Sequence, residues 1–198
     1  MAVGVLFPGW QMNEAAPTLF EPPRLLGRPV LSTQLVPDIT PGAANPLQKI
    51  VVRIKVGTDR MSGTDDPVFL RLLGPSGREF RLDLARGRSL RRGAEEVFVL
   101  GSPDAADTNV AHPKFNDPTS PPLDLRGIER VVLYKGMEPL PNVRGLGEMD
   151  DRLEVEEVEI ELHAANQPKP TRFYRRGPIW LGLICGHSLE LCRTDEPS

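Results

Sequence analysis

Three aspartates within eight residues, Asp59, Asp65 and Asp66, are the side chains best suited to binding a ligand. Calcium prefers hard oxygen ligands, including carboxylates and carbonyls on a flexible loop. Asp150 or Asp151 adds a fourth carboxylate if the segment that carries them reaches the same end of the fold. These residues are candidate ligands for a weakly bound Ca²⁺. The alternative, which we favour, is a turn in which the carboxylates accept hydrogen bonds from backbone amides.

Arginines form two further groups that could bind phosphate, because a guanidinium group contacts phosphate through two parallel hydrogen bonds. One group lies in ARGRSLRRG, and the other flanks two aromatic residues in RFYRR. The arginines are Arg86, Arg88, Arg91, Arg92, Arg172, Arg175 and Arg176. The favoured alternative is a solvated turn with salt bridges to the abundant glutamates of the last core strand, in 150–162. The net charge of -3 argues against a nucleic-acid partner.

Cys185, His187 and Cys192 offer three zinc-type ligands but no paired C-x-x-C spacing, so we interpret them as a buried cysteine and surface polar residues. The two cysteines do not form a disulfide framework. The sequence also contains no G-x-S-x-G, P-loop or H-E-x-x-H motif. We therefore expect a protein that is not an enzyme.

Apolar residues alternate with polar ones in several short segments, which predicts an all-β, antiparallel β-sandwich. Gly74-Pro75-Ser76-Gly77 predicts a hairpin between two of the strands. In 153–162 the alternation changes phase at Glu156-Glu157, which predicts a β-bulge there. The run IWLGLIC predicts one further strand with Ile179, Leu181, Leu183 and Cys185 on one face.

Three segments resemble the PLAT (lipoxygenase homology) family: VRIKVGTDRMSGTDDPVFLRLLG (52–74), RRGAEEVFVLG (91–101) and DDRLEVEEVEIEL (150–162). The resemblance implies a sandwich that attaches to membrane lipid or to a partner protein through loops at one end. It also implies metal ligands at Gly63, Thr64 and Asp65. The chain departs from the family at Tyr134-Lys135-Gly136, where an acidic residue is common and a lysine opposes a cation. The candidate contact residues are Met61, Met137, Leu140, Leu146, Arg91 and Arg92.

The chain divides into a Pro-rich N-terminal arm (1–48), the sandwich (49–163) and a C-terminal extension with one strand (164–198). It has no apolar run long enough to cross a bilayer and no recognisable signal peptide, so we expect a cytoplasmic protein, peripheral to a membrane or within an assembly. The alternative function is a structural subunit of a particle, filament or virion. Its terminal arms would then join copies into a homo-oligomer.

Overall fold

The structure is a computed structural model that describes residues 45–75, 77–87, 90–136, 151–182 and 184–194. Almost all of the predicted N-terminal arm lies outside these residues. The proposals about that arm and about arm-mediated assembly therefore remain predictions.

Eight strands and one short 3-10 turn make up the regular structure of the described residues. The strands are Leu47–Val56 (β1), Val68–Leu73 (β2), Arg78–Arg81 (β3), Glu95–Leu100 (β4), Arg130–Lys135 (β5), Leu153–Ala164 (β6), Thr171–Leu181 (β7) and Ser188–Thr194 (β8). The turn is Leu125–Gly127. This confirms the predicted all-β class.

The strands form one antiparallel sheet in the order β3-β2-β5-β8-β7-β6-β1-β4. The sheet curls so that the half containing β5 and the half containing β6 enclose the core as a sandwich. Alternation explains the packing, because every second side chain points to the same face of a strand. Val68, Leu70 and Leu72 of β2 are buried in this way, and β2 pairs with β3 as the predicted hairpin.

The predicted β-bulge is present in β6. The pairing with β1 shifts from Lys55 opposite Glu157 to Val56 opposite Val155, which leaves Glu156 as the extra residue. An extra residue reverses the side-chain phase of a strand. Residues before and after the bulge, such as Val155 and Val158, consequently both point into the core.

The residues after 164 contain two strands, so the prediction of one strand there was wrong. β7 pairs with β6 and β8, and β8 also pairs with β5, so both are integral to the sheet. β7 ends at Leu181, and Cys185 is exposed in the turn that follows. Glycines on both sides of that turn end the strand earlier than the apolar run suggested.

The long loop between β4 and β5, residues 101–124, covers the outer edges of the two terminal strands. Asn109 binds β4 as a neighbouring strand would: its Oδ1 accepts from Val99 N and its Nδ2 donates to Val97 O, both at 2.8 Å. At the other edge, Asn116 Oδ1 accepts from Arg81 N of β3 at 2.9 Å. Some of the backbone N–H and C=O groups at each edge are therefore hydrogen-bonded within the chain.

Candidate functional site

One end of the sandwich gathers most of the residues singled out in the sequence. The antiparallel register pairs Val68 with Lys135, Lys55 with Glu95, and Leu153 with Leu181, so these strand ends lie together. We call this the loop end. Its described segments are residues 57–67, 82–87, 90–94, 136, 151–152, 182 and 184–187.

Asp151 organises the aspartate-rich loop. Its Oδ2 atom accepts hydrogen bonds from the Thr64 hydroxyl at 2.8 Å, from Asp65 N at 2.6 Å and from Asp66 N at 3.3 Å. The carboxylate thus binds the loop through three donors. A carboxylate does accept from backbone amides here, but it is that of Asp151, to which Asp65 and Asp66 donate their own N–H groups. Asp150 lies outside the described residues.

Lys135 lies beneath the same loop. Its ammonium group pairs with Asp66 Oδ2, and the lysine side chain is 0% exposed. Val131, Leu133 and Lys135 are the inward-facing residues of β5, so the strand's own phase directs the lysine toward the interior. The protein therefore supplies a positive charge of its own at this loop.

The predicted ligand residues are only partly brought together. Thr64, Asp65, Asp66 and Asp151 share one hydrogen-bonded cluster. Asp59 lies apart from it: its side chain is exposed, and its carbonyl accepts from the Ser62 hydroxyl at 2.8 Å.

Gly63 joins this loop to the basic segment. A Cβ atom at Gly63 would lie 2.6 Å from Arg92 N, so the two backbones approach more closely than any other residue allows. Thr64 N also donates to Leu90 O at 2.9 Å, and Gly93 N to Gly57 O at 2.7 Å. These contacts hold the arginine-bearing segment directly against the loop that carries Met61.

The loop end also exposes apolar and basic side chains. Met61 is 45% exposed and Ile184 is 85% exposed. Arg91 and Arg92 are exposed, and neither pairs with a carboxylate of the described part of the chain. Of the other predicted contact residues, Met137, Leu140 and Leu146 lie outside the described residues.

Ile184 was not identified from the sequence, because the apolar run around it was interpreted as one continuous buried strand. In the structure Gly182 N donates to Gly186 O at 2.8 Å, which closes a turn with Ile184 at its exposed tip. The two glycines four residues apart were the available indication.

Most of the other candidate clusters form ordinary contacts. Arg172 Nη2 pairs with Glu161 of β6 at 3.1 Å, as the salt-bridge alternative predicts, whereas Arg86 pairs with Glu96 of β4. Both cysteines are exposed free thiols, so the interpretation of one as a buried cysteine was wrong. Within the described ranges, no three His, Cys, Asp or Glu side chains come together as a metal-binding group, and no helix is long and apolar enough to span a bilayer.

No protein-family model matches the chain, and no curated protein matches it in sequence. Among solved structures, it is similar to the alpha toxin from Clostridium absonum, with 17% identity, a TM-score of 0.48, and coverage of 75% of this chain and 32% of that one. The alpha-toxin of Clostridium perfringens gives 14% identity, a TM-score of 0.48, and coverage of 78% and 34%.

A third similar structure is coral 8R-lipoxygenase, described as calcium-activated through a C2-like domain. It gives 17% identity, a TM-score of 0.45, and coverage of 73% of this chain and 17% of the lipoxygenase. The chain therefore spans about a third of each toxin and about a sixth of the lipoxygenase. At these TM-scores, the likeness to the toxins and the lipoxygenase says nothing about the activity of the present chain.

Proposed function

We propose that this chain is a non-catalytic module that attaches to anionic membrane surfaces through its loop end. The observation that carries the proposal is the joint exposure of apolar and basic side chains there. Met61 and Ile184 offer apolar surface, and the adjacent Arg91 and Arg92 have no partner among the described residues.

This combination suits the boundary between lipid headgroups and acyl chains, where apolar side chains enter and cations contact the headgroups. Burying one large apolar side chain contributes about 1.5–3 kcal/mol. Each arginine near an anionic surface contributes about 1 kcal/mol. Binding through these few residues should therefore be reversible and should weaken as salt screens the charges.

The arginine contribution is tested by co-sedimentation with vesicles of equal parts phosphatidylcholine and phosphatidylserine. Arg91→Ala combined with Arg92→Ala should weaken binding about 30-fold, from the loss of about 2 kcal/mol. The matched control is Arg175→Ala with Arg176→Ala, an exposed arginine pair on β7 away from the loop end. The control should bind as the parent does. Equal losses in both variants would contradict a specific role for the loop end.

The apolar contribution has a matched control of its own. Ile184→Ser should weaken vesicle binding by about tenfold or more, because its side chain enters the interface. Ile184→Val keeps an apolar side chain at the same position and should change binding little. A parent protein that ignores anionic and neutral vesicles alike would refute membrane attachment. Attachment to a protein partner would then be the remaining form of the proposal.

A further inference from the structure

Lys135 is an uncommon feature, because a lysine is rarely fully buried unless it is paired. Its ammonium group contacts Asp66 Oδ2, and Gly136 O lies 3.5 Å away. The lysine therefore places one positive charge beneath the loop for which the sequence suggested a calcium ion.

The described donor set does not fit calcium. Calcium takes six to eight oxygen ligands whose lone pairs point inward, at about 2.3–2.6 Å. Here the Asp151 oxygen that faces the loop receives one hydroxyl and two N–H donors, and Asp66 receives an ammonium group. A divalent ion bound to the same Asp66 oxygen would have to displace the ammonium or lie against a like charge.

We infer that the Lys135 ammonium serves as the resident cation of this loop, so that the loop end is assembled without calcium. One consequence of the inference rests on the proposed function: membrane attachment should not depend on calcium. The structural part of the inference concerns the Lys135–Asp66 pair alone.

The first test measures the melting temperature of the parent in a chelator and in several millimolar calcium. An ion that binds only the native state raises its stability. Because we infer that calcium does not bind this loop, we expect no shift in the melting temperature. A rise of more than about 2 °C would overturn the inference, because calcium at about five times its dissociation constant stabilises the folded state by about 1 kcal/mol, and this raises the melting temperature of a protein of this size by about 2–4 °C. This test needs no variant and therefore does not depend on how well a variant folds.

The second test removes each member of the pair. Asp66→Asn leaves a buried ammonium without its counter-charge and should lower the melting temperature by about 10 °C. Lys135→Met, which keeps the length of the side chain, combined with Asp66→Asn should recover more than half of that loss. Asp59→Asn, at an exposed aspartate of the same loop, is the control and should melt as the parent does. An Asp66→Asn variant as stable as this control would overturn the inference.

The third test repeats co-sedimentation with the phosphatidylserine vesicles in chelator and in calcium. We expect binding that agrees within about twofold, because calcium adds no stability to the loop end. Binding that requires calcium would overturn the inference even if the melting temperature does not change. Failure to bind under both conditions would instead refute the proposed function, and the melting experiments would still decide the role of Lys135.

Discussion

At the scale of single residues, Glu161 shows how charge is balanced on the outer face of β6. It is only 8% exposed and lies between two arginines, with Arg53 Nη1 at 3.6 Å and Arg172 Nη2 at 3.1 Å. Burial alone raises the pKa of a carboxyl group, but the charges of Arg53 and Arg172 and the hydrogen bond from Arg172 outweigh it. The pKa of Glu161 is consequently held below its ordinary value.

This depressed pKa has a consequence for stability in acid. A carboxyl group with a lower pKa in the folded state contributes stability above its unfolded pKa of about 4.3, and loses it as the pH falls through the folded value. Glu161→Gln should therefore flatten the fall in the free energy of unfolding as the pH drops below about 5, because fewer protons are taken up on unfolding. Urea denaturation of both proteins at several pH values measures this. Identical slopes would contradict the assignment.

The same scale shows what a sequence can and cannot indicate about a site. The phase of Val131, Leu133 and Lys135 already directs Lys135 inward, so its burial could have been predicted. Its pairing with Asp66 could not, because 69 residues separate them and only the β2–β5 register brings them together. The hydrogen bonds from Thr64, Asp65 and Asp66 to Asp151 likewise depend on strand pairing, because more than 80 residues separate the partners.

At the scale of elements, alternation predicted most strands because each has one face in the core. β8 was missed because only Leu189 and Leu191 carry its pattern, and two apolar residues are too few to distinguish a strand from a loop. The bulge in β6 was predictable because the apolar phase changes within one long strand.

That bulge gives a test at the same scale. Deleting Glu156 should prevent folding, because one half of β6 would have to turn its core side chains outward. Val158, Ile160 and Leu162 alone would lose about 1.5–3 kcal/mol each, against a total stability of about 5–15 kcal/mol.

Glu156→Ala is the matched control, because it keeps the extra residue and removes only a partly exposed salt bridge to Lys55 at 3.2 Å. It should cost less than about 1 kcal/mol. Circular dichroism and urea denaturation distinguish the two variants. A stable, native-like deletion variant would show that the bulge is not needed for register.

At the scale of the whole molecule, the two terminal strands determine how the sheet meets other molecules. An uncovered edge offers unpaired N–H and C=O groups to another chain. Asn109 and Asn116 bind backbone groups of β4 and β3 through their side chains. This coverage was not predictable, because the loop's composition does not reveal which edges it crosses.

Asn109→Ala should therefore promote self-association. It frees Val99 N and Val97 O on β4, where the Val97 side chain is also 38% exposed. Sedimentation velocity over a range of concentrations should show larger species for this variant than for the parent. Asp104→Asn, at an exposed residue of the same loop, is the control. Equal size distributions for the two variants would mean that Asn109 does not guard the edge.

The coverage of the β3 and β4 edges has a further consequence if the protein accumulates on a bilayer. Adsorption confines molecules to two dimensions, where their crowding far exceeds that in the surrounding water. Neighbours would then lie side by side long enough for bare strands to fuse into a continuous cross-β ribbon. Two asparagines on one loop would then keep a dense coat of this protein fluid, so that each molecule could leave the membrane as a monomer.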